Sequence, residues 1–238
     1  MAILIDTPTQ ERIAQLIDSA ARRVISQIVS HGNEEGLTSA LGGALAQESI
    51  RENGLSVNFR YRQHNKITEE PHSGADGGFL VKVALPGLIV EKAALFQAKL
   101  LRGDADIRTL TMSSSEAKRL QKQTKDMLTH TSEAVAIFYT WKNIYVVDAE
   151  DYANGASPAS RSPLSQNHRL ITLGTYLGKW LPRCTKGDTD ADIITRAKHL
   201  EGFKHGVQLN VVADRPGIDW DNDSAEEAWR ERGKKKSK

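Results

Sequence analysis

The chain has 238 residues, 32 Lys and Arg against 30 Asp and Glu, a net charge of +2, and 39% hydrophobic residues. That length is enough for one large domain with a sizeable core, no apolar run approaches a membrane span, and a single cysteine, Cys184, excludes an intrachain disulfide or a Cys-based zinc cluster. With the charges so nearly balanced, their distribution is more informative than their sum.

Met1-Ala2-Ile3-Leu4-Ile5 is followed at once by Asp6, which predicts no signal peptide and a cytoplasmic location. Thr7-Pro8-Thr9 opens a helix over Glu11 to Val29, with Ile13, Leu16, Ile17, Ala20, Val24 and Ile28 at helical spacing, and His31-Gly32-Asn33 breaks it. A second helix runs from Asn33 to Leu45; an acidic residue in its first turn, such as Glu35, suits the helix dipole without any other role. Leu55 to Gln63 alternates polar and apolar residues as a strand does. A Gly74-Ala75-Asp76-Gly77-Gly78 turn then leads into a hairpin, Phe79 to Leu85 and Ala93 to Leu100, with Pro86-Gly87 in the break. Ser113 to Met127 reads as a basic helix with Leu120, Thr124 and Met127 toward the core. Ala134 to Trp141 and Ile144 to Val147 read as strands joined at Lys142-Asn143.

Gly155 to Pro163 is rich in Ser, Ala, Gly and Pro, as a loop or hinge is. Beyond it a helix is predicted over Leu173 to Leu181 and a strand over Val207 to Val212, and Asp219 to Lys238 passes from acidic to basic as a charged tail. These breaks divide the chain into a core over 1–152, a C-terminal extension over 153–218 packed on that core, and a tail over 219–238.

Chemistry concentrates on the hairpin. Asp76 opens its first strand, and Gln97 and Lys99, two residues apart on the second, project from one face. Gly74, Gly77 and Gly78 give the backbone freedom around Asp76 but lack the Gly-Lys-Ser/Thr of a phosphate-binding loop. His64, His72, His168, His199 and His205 show no zinc-site spacing.

Asp76 followed by Gln97-Ala98-Lys99 resembles the PD-(D/E)xK nuclease superfamily in its Gln-x-Lys variant, as in Mrr-like restriction endonucleases and the nuclease domains of bacterial anti-phage effectors. The resemblance covers about Glu11 to Asp148. It implies an α/β fold with a restriction-endonuclease-like αβββαβ core, a mixed central sheet and a C-terminal α/β extension. It also implies a DNA endonuclease in which Asp76, Gln97 and a third acidic residue hold Mg²⁺, with Mn²⁺ able to substitute, while Lys99 orients or activates the attacking water. Mg²⁺ takes oxygen ligands and is commonly held by one or two carboxylates, so a Gln amide oxygen can complete the set. Glu35, on the helix that supplies an acid in the family, is the first choice for the third ligand. Glu70 is the alternative, and the residues do not separate them.

Two basic groups suit a phosphate backbone. One runs from Lys99 through Arg102, Arg108, Lys118, Arg119 and Lys122 to Lys125, and the other gathers Arg161, Arg169, Lys179, Arg183 and Lys186 around His168. With no recognisable specificity domain, targeting falls to a partner, and the resemblance points to a helicase, an NTPase or a nucleotide-sensing protein; a homodimer would suit double-strand cutting. An inactive nucleic-acid-binding or scaffolding subunit, an RNase and a junction resolvase on the same core remain the alternatives.

Overall fold

Period-two alternation in the apolar segments builds one mixed sheet of eight strands with helices on both faces. The computed structural model describes residues 5–27, 33–52, 54–64, 73–103, 106–155, 169–183 and 186–213. The strands are β1 (Ser49–Glu52), β2 (Leu55–Gln63), β3 (Gly77–Leu85), β4 (Leu88–Leu100), β5 (Ala134–Tyr139), β6 (Ile144–Asp148), β7 (Ile171–Thr172) and β8 (His205–Ala213). They lie in the order β1-β2-β8-β3-β4-β5-β6-β7. The hairpin pairs β3 antiparallel to β4, and β5 joins β4 in parallel after a helical crossover.

The helices are α1 (Thr7–Ile25), α2 (Glu34–Ala46), α3 (Ser114–Leu128), α4 (Ala149–Gly155), α5 (Leu173–Thr175, continuing as a π-helical turn Tyr176–Trp180) and α6 (Ala191–His199). Side-chain caps fix where they start. Asp6 accepts from the Thr9 N–H, Asn33 from the Gly36 N–H, and Ser113 and Glu116 form a capping box. On one face of the sheet α1, α2 and α5 bury Ile13, Ile17, Leu37 and Tyr176 against Val57, Phe79, Phe96, Ile137 and Leu209. On the other, α3 and α4 close over Ala136, Phe138 and Val147, and α6 covers Leu80 and Ala93.

The predicted strand over Val207 to Val212 is present, but the expectation of an extension packed on a completed core does not hold. β8 lies inside the sheet, antiparallel to β2 and parallel to β3 over eight paired residues, His205–Val212 against Gly77–Ala84. Its alternation explains this: Val207, Leu209 and Val211 are buried in the main core, which an edge strand on a finished domain would not supply. The predicted helix over Leu173 to Leu181 is a short helix and a π-turn. Cys184 and the tail over 219–238 lie outside the described residues.

A central β8 makes a measurable prediction. Leu209 is 2% exposed and Val212, on the opposite face of the same strand, is 43% exposed. Leu209→Ala should cost about 2–5 kcal/mol in denaturant unfolding, and Val212→Ala should stay within roughly 0.5 kcal/mol of the parent. Equal, small effects would contradict the placement of β8 in the core.

Candidate active site

The site forms where β3 begins and β4 ends. The Asp76 N–H donates to the Phe96 carbonyl (2.9 Å), and the Asp76 carbonyl accepts from the Lys204 and His205 N–H groups (3.1 and 3.2 Å), so the backbone of Asp76 is held from both neighbouring strands. Gly74 has φ +70°, a left-handed conformation in the turn just before Asp76. At Gly77 a Cβ would come within 2.5 Å of the His205 carbonyl oxygen and 2.4 Å of the Phe96 ring, so only glycine lets β3 and β8 close beside the site.

Asp76 and Gln97 face each other. Asp76 Oδ2 accepts from the Ala98 N–H at 2.9 Å and from Gln97 Nε2. Gln97 is 2% exposed, and its Oε1 is buried with no hydrogen-bond donor among the described residues. A buried acceptor left without a donor loses its hydration uncompensated. Two residues on, Lys99 Nζ donates to Glu34 Oε2 at 3.0 Å, and Glu34 Oε1 accepts from the Leu100 N–H at 3.1 Å. The first turn of α2 is thereby tied to the end of β4. Thr38, one turn along α2, accepts from the Tyr139 hydroxyl at 3.1 Å, which fixes the helix against β5.

Asp76, Gln97 and Lys99 therefore converge as the sequence reading expects, and Glu35 does not join them. Its carboxylate is exposed and pairs with Lys204 Nζ at 3.5 Å. Glu34 stands in the expected position instead, because successive helical residues point about 100° apart and the Asn33 cap sets the phase. Glu70, the alternative, lies outside the described residues, as does His72.

Burial of its carboxyl is the largest influence on Asp76 and raises its pKa above the ordinary carboxylate range. The Ala98 N–H and the Lys99 and Lys204 ammonium groups pull it down, and the Glu34 carboxylate pushes it up. The Tyr61 hydroxyl meets His205 Nδ1 at 2.9 Å beside the site, and burial first of all lowers the His205 pKa. Glu34 and Lys204 escaped the sequence reading, and His205 entered it only as a histidine without zinc-site spacing. Glu34 adjoins the chosen residue, and the other two carry no motif.

Glu34, Asp76 and Lys99 carry formal charges of −1, −1 and +1, so the cluster has one negative charge in excess. Two carboxylates and an unmatched amide oxygen fit a hard divalent cation that keeps part of its water shell. Among the described residues no group of three or more His, Cys, Asp or Glu side chains is arranged to hold a metal, so the set depends on Gln97. The second basic group is largely engaged elsewhere: Lys186 pairs with Asp148 (2.7 Å), Lys179 pairs with Glu11, and Arg169 stacks on Trp180 at 4.1 Å. Arg161 and His168 lie outside the described residues.

No protein-family model, curated protein or solved structure matches the chain. Among the described residues no helix is long and apolar enough to cross a membrane.

The raised Asp76 pKa gives a stability test. A carboxyl whose folded pKa lies above its unfolded one favours folding while protonated, and that contribution disappears as pH rises through the folded pKa. Asp76→Asn is uncharged throughout, so its stability relative to the parent should rise between roughly pH 4 and pH 8. Denaturant midpoints at the two pH values check this; a difference that is flat or falls with pH would contradict a carboxyl held in a desolvated site.

Proposed function

We propose that the protein is a Mg²⁺-dependent endonuclease that hydrolyses DNA phosphodiester bonds at the cluster Glu34, Asp76, Gln97 and Lys99. The observation that carries this reading is Gln97 Oε1, a buried acceptor with no donor among the described residues, set between a desolvated carboxylate and a lysine–glutamate pair. A side chain needed only for packing would not be an amide in this position, and an electropositive guest satisfies it.

Asp76, Gln97 through Oε1, and Glu34 would hold the metal. When bound, Mg²⁺ supplies charge stabilisation on a phosphoryl oxygen and lowers the pKa of a coordinated water. Lys99 supplies a compact ammonium beside the scissile phosphate, where it donates a hydrogen bond to the attacking water and offsets the charge that develops on the phosphate oxygens. Glu34 holds that ammonium in place, and the Ala98 N–H holds the Asp76 carboxylate. Tight closure of β3 against β8 at Gly77 leaves no room for a side chain beside the cluster.

The chain order α2, β1, β2, β3, β4, α3, β5 supports a restriction-endonuclease-like core once the short edge strand β1 is set aside, with β8 as a strand added between β2 and β3. Action as an anti-phage effector directed by a helicase, NTPase or nucleotide-sensing partner rests on the family resemblance. The reading of a binding subunit without catalysis has one observation in its favour: Lys99 and Glu34 already satisfy each other at 3.0 Å.

Plasmid cleavage in Mg²⁺, with a chelator control, decides between them. Glu34→Gln should slow cleavage on the order of 100-fold or more, Glu35→Gln should cut close to the parent rate, and Gln97→Leu should lose activity where Gln97→Glu retains part of it. Full activity in Glu34→Gln with loss in Glu35→Gln would remove Glu34 from the site, and absence of any metal-dependent cleavage by the parent would favour the binding subunit.

A further inference from the structure

The half of the sheet beyond α6 leaves one face open, and its composition is one-sided. Residues pointing the other way, Ile50, Val57, Phe59, Val207, Leu209 and Val211, are buried in the main core. By alternation, the open face carries the intervening residues of β1, β2, β8 and β3. Its charged residues are Arg51, Arg60, Arg62 and Lys82; the one carboxylate on these four strands, Glu52 of β1, alternates to the other face, where it pairs with Arg12 of α1. Arg51, Arg60 and Arg62 are exposed, and Lys82 is half-buried. Glu91 on β4 is shared between Lys82 (3.4 Å) and Lys198 (2.7 Å), and among the described residues Arg51, Arg60 and Arg62 pair with no carboxylate.

Three of these cations form a row, and the fourth, Lys82, stands apart from it. Arg51, level with Ser56 across the β1–β2 ladder, begins a row that continues through Arg60 to Arg62. Lys82 lies on the far side of β8, which contributes a neutral stripe in which Gln208 donates to Asn210 (2.6 Å) and Asn210 to Asn58 (3.0 Å). Lys198, at the end of α6, stands between the arginine row and Lys82, since its carbonyl accepts from Arg62 at 3.0 Å and its ammonium shares Glu91 with Lys82. The arginine row covers six residues of β2, roughly 20 Å at 3.3 Å per residue, a length over which one DNA strand presents about six phosphates. Lys82 on β3 stands two strand spacings from the arginine row on β2, about 10 Å, on the scale of a DNA groove. A single strand offers one row of phosphates and a duplex offers two.

The row also leads to the site. Arg62 pairs with Gly206, the next residue toward the chain start is His205, and the His205 N–H donates to the Asp76 carbonyl at 3.2 Å. Lys204, paired with Glu35 at the rim, continues the positive line.

We propose that this open face is a docking track for duplex DNA, which grips both phosphate backbones and delivers the duplex to the Asp76 end of the sheet. The identity of the DNA as substrate rests on the nuclease reading, but the binding surface does not need it.

The test is affinity for a labelled DNA duplex measured in Ca²⁺ across a salt series, for the parent, Arg60→Ala/Arg62→Ala, Arg51→Ala, and Lys142→Ala as a control on the β5–β6 turn. Each lost phosphate contact lowers the slope of log affinity against log salt by about one. The double variant should lose about two in slope and Arg51→Ala about one, with Lys142→Ala unchanged. Unchanged affinity and slope in both face variants would overturn the track, and a shift from dimer to monomer in those variants would give the face to a second copy instead. Loss of single-strand binding with duplex binding intact would also overturn it. Parent cleavage in Mg²⁺ separates the two claims: reduced slopes with no cleavage leave the track standing and remove the nuclease, whereas cleavage with unchanged slopes does the reverse.

Discussion

A strand from the C-terminal part of the chain, wedged between β2 and β3, organises the rest of this molecule. β8 pairs with β2 on one side and β3 on the other, and its buried residues fill the layer under α1 and α2. Because it reaches the sheet in parallel with β3, its first amide groups arrive at the Asp76 carbonyl and close the backbone around the candidate site. The same strand separates the arginines of β2 from the lysine of β3 and sets the width of the open basic face. Closing so long a loop is entropically costly, and the paired ladder with its buried Val207, Leu209 and Val211 offsets that cost.

Around the site, charge and burial act against each other. Asp76 is drawn out of water by the strands that hold it, which raises its pKa, while Lys99 sits close enough to favour its ionised form. Glu34 adds a second carboxylate that pairs with Lys99 and opposes Asp76. The result is a desolvated, net-negative cluster with one amide oxygen left unmatched. Pairs of titratable groups with conflicting environments are common at functional sites, because structure alone rarely maintains them.

Much of this was legible in the sequence. The hairpin, the Asp76 turn and the shared face of Gln97 and Lys99 follow from local rules: Gly and Pro punctuate, and strands alternate. The helix carrying Glu34 was legible as well, but whether Glu34 or the expected Glu35 turns toward Lys99 depends on the phase of α2 against the end of β4, a tertiary relation that a one-residue error reverses. The position of β8 was not legible, since its pattern of Val207, Leu209 and Val211 marks a strand with a buried face and says nothing about its neighbours. The basic face lay half in view: Arg60 and Arg62 share a face by alternation within β2, whereas Lys82 and Arg51 join them only through the sheet order. Of the lysines and arginines that stand out along the chain, Lys179 and Lys186 are spent in internal ion pairs with Glu11 and Asp148.

Lys99 bears most directly on the central claim, because it separates chemistry from binding at one side chain. Duplex affinity in Ca²⁺ and plasmid cleavage in Mg²⁺ should be measured together on the parent and on Lys99→Ala. The account predicts that the variant keeps its DNA affinity, since the metal ligands and the basic face are intact, and loses turnover, since the ammonium that positions the water and offsets transition-state charge is gone. Loss of affinity and cleavage in parallel, or cleavage at the parent rate, would contradict it.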